Sequence, residues 1–276
     1  MRVPVPGSGR AVVAAEPECD GPGCWAGAPS ALTADGAIWL AYRLRRPDGR
    51  GGANVIARSD DGERFEPVAE IAKERFGAES LERPALARTG DGRWRLYVSC
   101  ATPGSKHWRI DALEADAPAD LPAADARTVF PGDAEWGVKD PVVRPRARGG
   151  WHAWICCHPL DEPGEEDRMV SRGAESDDGV AWTWTGEELA GRPGAWDARG
   201  ARVTAVAGDV LYYDGRATKE ENFRERTGIA RRGSDGWRRG EQPVADVRYL
   251  DVLGGRLFYE AARPDGAHEL RTETAG

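Results

Sequence analysis

The segment Trp39-Leu-Ala-Tyr-Arg43 is a short apolar run with two aromatic residues, and four more runs of this kind follow along the chain. They are Trp94-Arg-Leu-Tyr-Val98, Trp151-His-Ala-Trp-Ile155, Val210-Leu-Tyr-Tyr-Asp214 and Arg256-Leu-Phe-Tyr-Glu260. Successive runs begin 55, 57, 59 and 46 residues apart. Because aromatic and β-branched residues are typical of buried strands, the spacing predicts five copies of one strand.

Further apolar segments flank each aromatic run. About ten residues before the first three runs, a proline stands at the same place in each repeat, as Pro29, Pro84 and Pro141. Proline is tolerated at the first residue of a strand. After the runs, the sequence Ser-Asp-Asp-Gly occurs at 59–62 and again at 176–179, and Asp-Gly favours a turn between antiparallel strands. The repeat is therefore predicted to contain four antiparallel strands.

The repeats predict the architecture of the whole chain. Repeats of this length made of four strands are typical of propeller blades, and no segment shows sustained helical periodicity. We expect an all-β, five-bladed β-propeller that forms a single domain over residues 1–276. The last repeat ends after its third strand, so we expect residues 9–15 to supply the fourth strand and close the ring.

Composition excludes several classes of protein. The chain has 276 residues and a formal net charge of −8, which argues against a nucleic-acid-binding protein. It has neither an apolar run long enough for a membrane helix nor a signal-peptide pattern, so we expect a cytoplasmic protein without a membrane partner. The five cysteines follow no zinc-binding spacing and are predicted to be free thiols. No cofactor is predicted, although a divalent cation in the central channel remains open.

Propeller geometry indicates where a site should form. The first strand of each blade lines the central channel, and the residues just before the aligned prolines face its axis. Aligning the repeats places Ala28, Arg83, Asp140, Arg199 and Ala245 at this position. Charged residues concentrate there, namely Glu82, Arg83, Lys139, Asp140, Asp197 and Arg199. Buried charges are costly unless they pair or bind a ligand, so this cluster is the predicted site.

The repeats, the turns and the motif Lys139-Asp140-Pro141-Val142 together resemble the five-bladed glycoside hydrolase superfamily, with family 43 and its relatives 32, 117 and 130 as the nearest comparisons. The resemblance implies a catalytic base on blade one, a pKa-tuning aspartate on blade three and an acid on blade four. Asp140 matches the blade-three position, and Asp197 lies two residues before the blade-four position. Blade one has no carboxylate at 27–30, and Glu82 is the predicted substitute.

Other residues are candidates for binding substrate. Arg83 and Arg199 beside Asp140 suggest anchors for an acidic sugar or for phosphate, because a guanidinium binds carboxylate and phosphate at two points. We expect Lys139 to assist them. Trp25 and Trp136 precede inner strands and are candidates for stacking on sugar rings, whereas Trp108 is expected to be structural. The ends of the aromatic strands place Arg43, His158 and Glu260 at the wall of the site.

The sequence thus predicts a carbohydrate-active enzyme that cleaves a glycosidic bond, with an acidic sugar as the favoured substrate. The partner is a small-molecule carbohydrate or a glycosylated metabolite. Two alternatives stay open: a binding propeller that has lost catalysis, and a glycoside phosphorylase of the kind that family 130 implies. The cluster also has a purely structural interpretation, in which Arg83, Asp140 and Arg199 form a salt-bridge network that plugs the channel.

Overall fold

The computed structural model describes residues 3–276, which form antiparallel strands almost throughout. Helix is confined to two short 3-10 turns, Lys73–Phe76 and Pro118–Ala123, and no described helix is long and apolar enough to span a membrane. The strands are β1 (Val12–Ala15), β2 (Trp25–Ala34), β3 (Ala37–Arg46), β4 (Arg50–Ser59), β5 (Glu66–Ala72), β6 (Ala85–Arg88), β7 (Trp94–Ala101), β8 (Trp108–Ala115), β9 (Arg127–Phe130), β10 (Trp136–Pro145), β11 (Trp151–Pro159), β12 (Val170–Ser176), β13 (Thr183–Leu189), β14 (Gly200–Ala207), β15 (Val210–Arg216), β16 (Arg226–Gly233), β17 (Gly236–Arg239), β18 (Arg248–Leu253), β19 (Arg256–Ala262) and β20 (His268–Thr274).

Four consecutive strands pair antiparallel in each of the groups β2–β5, β6–β9, β10–β13 and β14–β17. We call these the first to fourth groups. The fifth group consists of β18, β19, β20 and β1. A single parallel pair, Trp25 with His268, joins β2 to β20 and links the fifth group to the first in one eight-stranded sheet. The all-β structure with four-stranded antiparallel sheets is typical of a propeller.

The N-terminal segment completes the fifth group. Strand β1 pairs antiparallel with β20, with Val12 opposite Thr272. The sequence predicted this pairing for residues 9–15, and the pairing is confirmed. Because the last strand of the chain is paired with one of the first, both ends of the chain are tied into the same sheet.

The aromatic runs form the second strand of every group, as β3, β7, β11, β15 and β19. Their buried side chains form the core, which divides into five hydrophobic clusters between neighbouring groups. Between the first and second groups, for example, the rings of Trp39 and Trp94 lie 4.7 Å apart. The repeated aromatic positions thus pack group against group, which places the first strands β2, β6, β10, β14 and β18 around a common centre with each in contact with the next.

The two Ser-Asp-Asp-Gly sequences form the same turn between a third and a fourth strand. In the first copy, the Ser59 Oγ accepts the Gly62 amide at 2.8 Å, and the Asp61 carboxylate accepts the amides of Glu63 and Arg64. Gly62 has a φ of 76°, which favours glycine. The turn predicted from the sequence is confirmed.

The prediction of five free thiols is wrong at one pair. Cys19 and Cys24 form a disulfide with their Cα atoms 5.4 Å apart. The short loop closes because Gly21 and Gly23 both adopt positive φ and the Cys24 amide donates to the Gly21 carbonyl, which folds the chain back on itself. Cys100, Cys156 and Cys157 are free and buried.

Candidate functional site

Strand register identifies one equivalent position on the first strand of each group. Gly27 pairs with Arg43, Lys139 with Cys156, Arg202 with Asp214, and Arg248 with Glu260. In the second group the Glu82 amide donates to the Ser99 carbonyl. The first-strand residues at this position are therefore Gly27, Glu82, Lys139, Arg202 and Arg248, and the second-strand residues behind them are Arg43, Ser99, Cys156, Asp214 and Glu260.

The sequence alignment was wrong for the fourth and fifth groups. By aligning Arg199 and Ala245 with Asp140, it placed their preceding residues, 198 and 244, at this position, each four residues before the observed Arg202 and Arg248. The cause is hairpin length. Lys139 and its partner lie 17 positions apart, whereas Arg202 and Arg248 each lie only 12 positions from theirs. Assuming the same spacing in every repeat therefore overestimated the number of residues between the first-strand position and the aromatic strand in the fourth and fifth groups.

A backbone bulge follows this position in three groups. Ala28, Asp140 and Tyr249 come directly after it and have φ values of 55°, 53° and 53°. The strand register shifts at the same places. Residues other than glycine rarely adopt this left-handed backbone conformation, and a bulge of this kind changes the direction in which side chains point. The repeated bulge thus directs Asp140 and Tyr249 towards the centre of the ring.

The first-strand residues Glu82, Lys139, Arg202 and Arg248 line a cavity of about 560 Å³, which we call the first chamber. Its walls are strongly basic. Among the described residues, nine basic side chains line it against four acidic ones. The basic residues are Arg43, Arg45, Arg50, Lys106, Lys139, Arg202, Arg216, Lys219 and Arg248, and the acidic ones are Glu82, Glu166, Asp167 and Glu225. The excess of positive charge favours an anionic ligand.

Ion pairs of alternating sign connect the groups around the chamber. Arg43 bridges Glu82 and Glu260, and Arg248 bridges Glu260 and Glu225 at 2.6 and 2.7 Å. The series continues through Arg216, Asp167, Arg199, Glu165 and Lys219. Each acid in the series has at least two basic partners, so the carboxylates of the series are neutralised.

The pairing keeps the chamber's buried carboxylates ionised. Burial alone raises the pKa of Glu82, but the charges of Arg43, Lys139 and Arg45 outweigh it and hold the pKa at about 2. Burial likewise raises the pKa of Glu225, and nearby arginines lower it to about 2. Neither carboxylate therefore carries a proton near neutral pH, as a general acid must.

Asp140 lies fully buried behind the chamber wall. Its carboxylate accepts from the guanidinium of Arg202 at 3.2 Å, from the Tyr249 hydroxyl at 3.3 Å and from the Arg83 amide at 3.2 Å. Arg202 and Tyr249 line the chamber, and the Arg202 guanidinium lies 3.7 Å from the centre of the Tyr249 ring. Asp140 thus reaches the chamber through these two residues.

The other three predicted residues of the charged cluster lie outside the first chamber. The guanidinium of Arg83 donates to the Pro29 carbonyl at 2.8 and 3.0 Å. Arg199 pairs with Glu165 and Asp167 at the edge of the chamber. Asp197 is buried and accepts from Arg192, Arg239 and the Tyr213 hydroxyl. The network of Arg83, Asp140 and Arg199 side chains does not form, because Asp140 pairs with Arg202 instead.

Lys139 and Lys106 are the chamber's uncompensated cations. Among the described residues, neither lies within 4 Å of a carboxylate oxygen, and Arg45 approaches Glu82 only at 3.9 Å. The Lys139 ammonium instead lies 4.7 Å from the centre of the Trp108 ring. Trp108, expected to be structural, therefore lines the chamber and supports Lys139. No sequence signal separated this tryptophan from the core aromatics.

His158 and Arg43 both line the first chamber. The His158 Nδ1 lies 2.6 Å from the Glu166 carbonyl, which accepts its proton. Removal of the ring from water, followed by the charge of Lys139, lowers the pKa of His158 to about 3, so the ring is neutral. Glu260 lies behind Arg43, Trp25 lines a neighbouring cavity, and Trp136 packs near Arg172 outside both.

The described residues contain no cluster of three or more potential metal ligands from His, Cys, Asp and Glu. Residues that the sequence analysis missed are Arg202, Tyr249, Arg216, Glu225 and Arg248. A sequence alignment with the correct strand register in the fourth and fifth groups would have identified Arg202, Arg248 and Tyr249. Arg216 and Glu225 flank the loop between β15 and β16, which lies outside the strand segments that the repeat aligned.

Comparison with solved structures shows the fold. A thermostable family-43 glycoside hydrolase matches with a TM-score of 0.69 and 11% identity over 95% of this chain and 91% of that chain. A β-1,2-mannobiose phosphorylase from Listeria innocua matches with a TM-score of 0.62 and 14% identity over 99% and 92%. An α-L-arabinofuranosidase from Lactobacillus brevis matches with a TM-score of 0.63 and 15% identity over 90% and 90%. No family model and no curated protein matches the sequence. The chain has the propeller fold of these glycoside hydrolases and phosphorylases.

Proposed function

We propose that this chain, which has the fold of propeller glycoside hydrolases, is a five-bladed carbohydrate-active enzyme that cleaves a glycosidic bond in an anionic carbohydrate. The observation that carries the proposal is the first chamber, where Lys106 and Lys139 lie more than 4 Å from every carboxylate oxygen of the described residues and Arg45 meets Glu82 only at 3.9 Å. A ligand carboxylate or phosphate supplies the missing partner. The five four-stranded groups support five blades.

The chamber's own residues suggest how substrate is held. Lys139 is fixed against Trp108, and Arg45 is fixed against Trp25 with 4.5 Å between the guanidinium and the ring centre. These contacts orient two cations before substrate arrives, which lowers the entropy cost of binding. Lys139 and Arg45 thereby anchor the anionic group, and Lys106 adds charge at the same wall.

The carboxylates suggest the division of chemical roles. Glu82 is ionised and lines the chamber, so it is the candidate to accept a proton or a hydroxyl hydrogen bond from the reacting group. Asp140 does not contact the chamber directly, because its partners Arg202 and Tyr249 lie between it and the cavity. Asp140 is therefore a positioning residue that fixes these two side chains.

Two alternatives are each favoured by an observation. The unpaired cations also suit inorganic phosphate, which favours a phosphorylase of the kind that the resemblance to family 130 implies, with one acid beside basic residues. The absence of a carboxylate at 27–30, together with the low pKa of both buried chamber glutamates, favours a protein that binds an anionic carbohydrate without cleaving it.

The test is a product-release screen with matched glycosides. Wild-type protein is incubated with pairs that differ only in a carboxylate or phosphate group, with and without inorganic phosphate, beside the variants Lys139→Gln and Glu82→Gln. We expect release from acidic members and at least about tenfold slower release by both variants. Release that requires phosphate identifies a phosphorylase, and release from neutral members alone contradicts an anionic substrate. If no product is released from any glycoside although the protein still binds anions, the result favours the non-catalytic binding protein.

A further inference from the structure

A second cavity of about 580 Å³ adjoins the first chamber. We call it the second chamber. The two cavities share the wall residues Asn222, Phe223, Glu225 and Arg248, which belong to the loop between β15 and β16 and to the start of β18. Beyond this wall the second chamber is lined by Trp25, His268 and residues near the Cys19–Cys24 loop, including Pro22 and Gly23. The loop of the fourth group therefore divides one depression into two compartments.

Phe223 is the side chain that stands between the compartments. It has a φ of 69° and is 43% exposed, although phenylalanine gains from burial and rarely adopts positive φ. Backbone strain at exposed loop residues concentrates at functional positions. Asn222 holds the loop from one side by accepting from Arg216 at 3.1 Å. The conformation is thus imposed by the loop and presents an aromatic ring to solvent.

The ring of Phe223 belongs to a fixed aromatic cluster. It meets Trp25 edge-on with 5.0 Å between ring centres, and Trp25 stacks on His268 at 4.6 Å. The guanidinium of Arg45 lies 5.3 Å from the centre of the Phe223 ring. The guanidinium of Arg248 lies 5.9 Å from the same ring centre. Trp25 and the two arginines therefore hold the Phe223 ring in place, while its exposed part faces the cavities.

The charges of the second chamber differ from those of the first. Its acidic residues Glu225, Asp246 and Glu260 face the basic residues Arg224 and Arg248, so acid and base nearly balance. Carboxylates and guanidinium groups beside an aromatic ring offer acceptors and donors for hydroxyl groups together with an apolar face. This chemistry fits a neutral, hydroxyl-rich ring and gives no advantage to an anion.

We infer that the second chamber is a binding subsite for a neutral sugar ring and that Phe223 is its stacking platform. The inference rests on the proposed function only in taking the ligand to be a carbohydrate. It adds that the substrate has two parts, an anionic part in the first chamber and a neutral part in the second, with Phe223 at the boundary between them.

Ligand-observed saturation-transfer NMR on the full chain tests the subsite without any turnover. The probes are methyl glycosides of glucose, galactose and mannose, together with maltose, each at about 10 mM, where even millimolar affinity is detected. Ala262→Trp places a bulky ring in the second chamber from an exposed position that does not line the first. Phe223→Ala removes the platform, and Phe223→Tyr restores an aromatic face. Val68→Trp adds the same bulk at an exposed site on β5 and is the matched control.

We expect at least one neutral probe to bind wild type, Phe223→Tyr and Val68→Trp alike. Binding of the neutral probe should weaken at least about tenfold in Phe223→Ala and Ala262→Trp and should persist in Lys139→Gln. The melting temperature of each variant verifies that it is folded. Absence of binding by every probe overturns the inference. So does binding that Lys139→Gln abolishes while Phe223→Ala leaves it intact. Failure of the proposed function is read separately, from acidic glycosides in the release screen.

Discussion

The carboxylate of Glu260 occupies the space that a side chain on residue 27 would need. Gly27 is the first-strand residue of the first group, and a Cβ there would fall against the Glu260 Oε2 and Cγ atoms. Glu260 in turn accepts from Arg43 at 2.9 Å and from Arg248 at 2.6 Å. Gly27 belongs to the stretch 27–30, where the family resemblance led us to expect a carboxylate, and the space beside it is filled by a carboxylate from the neighbouring group that is held in ion pairs and faces the second chamber.

Introducing a carboxylate at residue 27 should destabilise the protein. We expect Gly27→Asp to lower the free energy of unfolding by about 1–3 kcal/mol or more, because the new side chain overpacks the site and places negative charge beside Glu260. Urea denaturation measures the change. The double variant Gly27→Asp with Glu260→Ala should recover part of the loss. Equal stability of Gly27→Asp and wild type would show that the space is not limiting.

Arg43 should be among the most sensitive residues of the series. Arg43→Met leaves Glu82 and Glu260 each short of a buried partner, for which we expect a loss of about 3–5 kcal/mol. The matched control is Arg46→Met, which breaks an exposed pair with Glu18 and should reduce stability far less, because solvent screens that pair. Similar losses from both variants, measured by urea denaturation, would contradict the buried network.

The low pKa of Glu82 and Glu225 predicts acid sensitivity. Both fall from an ordinary value of 4.5 to about 2 in the folded protein. Their contribution to stability is therefore complete above pH 4.5 and is lost as the pH falls towards 2, since the unfolded chain takes up the protons first. Between pH 5 and pH 3 the urea midpoint should drop less in Glu82→Gln than in wild type. An equal drop would mean that Glu82 is not held ionised.

His158 should remain neutral well below its ordinary pKa. Loss of water around the ring and the nearby Lys139 lower the pKa from 6.5 to about 3. The His158 ring signals in an NMR titration should therefore show no midpoint between pH 7 and pH 4. A His158 midpoint near 6.5 would contradict the packing of the ring.

The disulfide predicts a thiol count. Unfolded, unreduced protein should react with three equivalents of a thiol reagent, for Cys100, Cys156 and Cys157, and with five after reduction. Five equivalents before reduction would contradict the bond. Disulfides are uncommon in cytoplasmic proteins, so the count also bears on the cytoplasmic location, which stays a prediction.

The fold could be predicted from the sequence because its signal is local and repeated. The aromatic runs such as Trp39–Tyr42 recur in every repeat, and the same residues pack the clusters between groups. The N-terminal strand was predictable because the last repeat lacked one. The Cys19–Cys24 bond was not, because it depends on two glycines that fold a short loop rather than on cysteine spacing.

The site was predicted only in part. The sequence placed Glu82 and Lys139 at the chamber wall and Asp140 directly behind it, because the first three repeats keep nearly equal hairpins. Arg202 and Tyr249 were missed because shorter hairpins shift the register of the fourth and fifth groups by four residues. The direction of Arg83 was also beyond the sequence, since its guanidinium is fixed by the Pro29 carbonyl of the neighbouring group.

Calorimetric titration of small anions tests the central claim, that the first chamber holds an anionic carbohydrate through its unpaired cations. The ligands are glucuronate, galacturonate and inorganic phosphate, titrated into wild type and Lys139→Gln at two salt concentrations. We predict that at least one binds wild type, weakens at least about tenfold in Lys139→Gln and weakens further at higher salt. Equal affinity for both proteins, or no binding of any of the three, would contradict it.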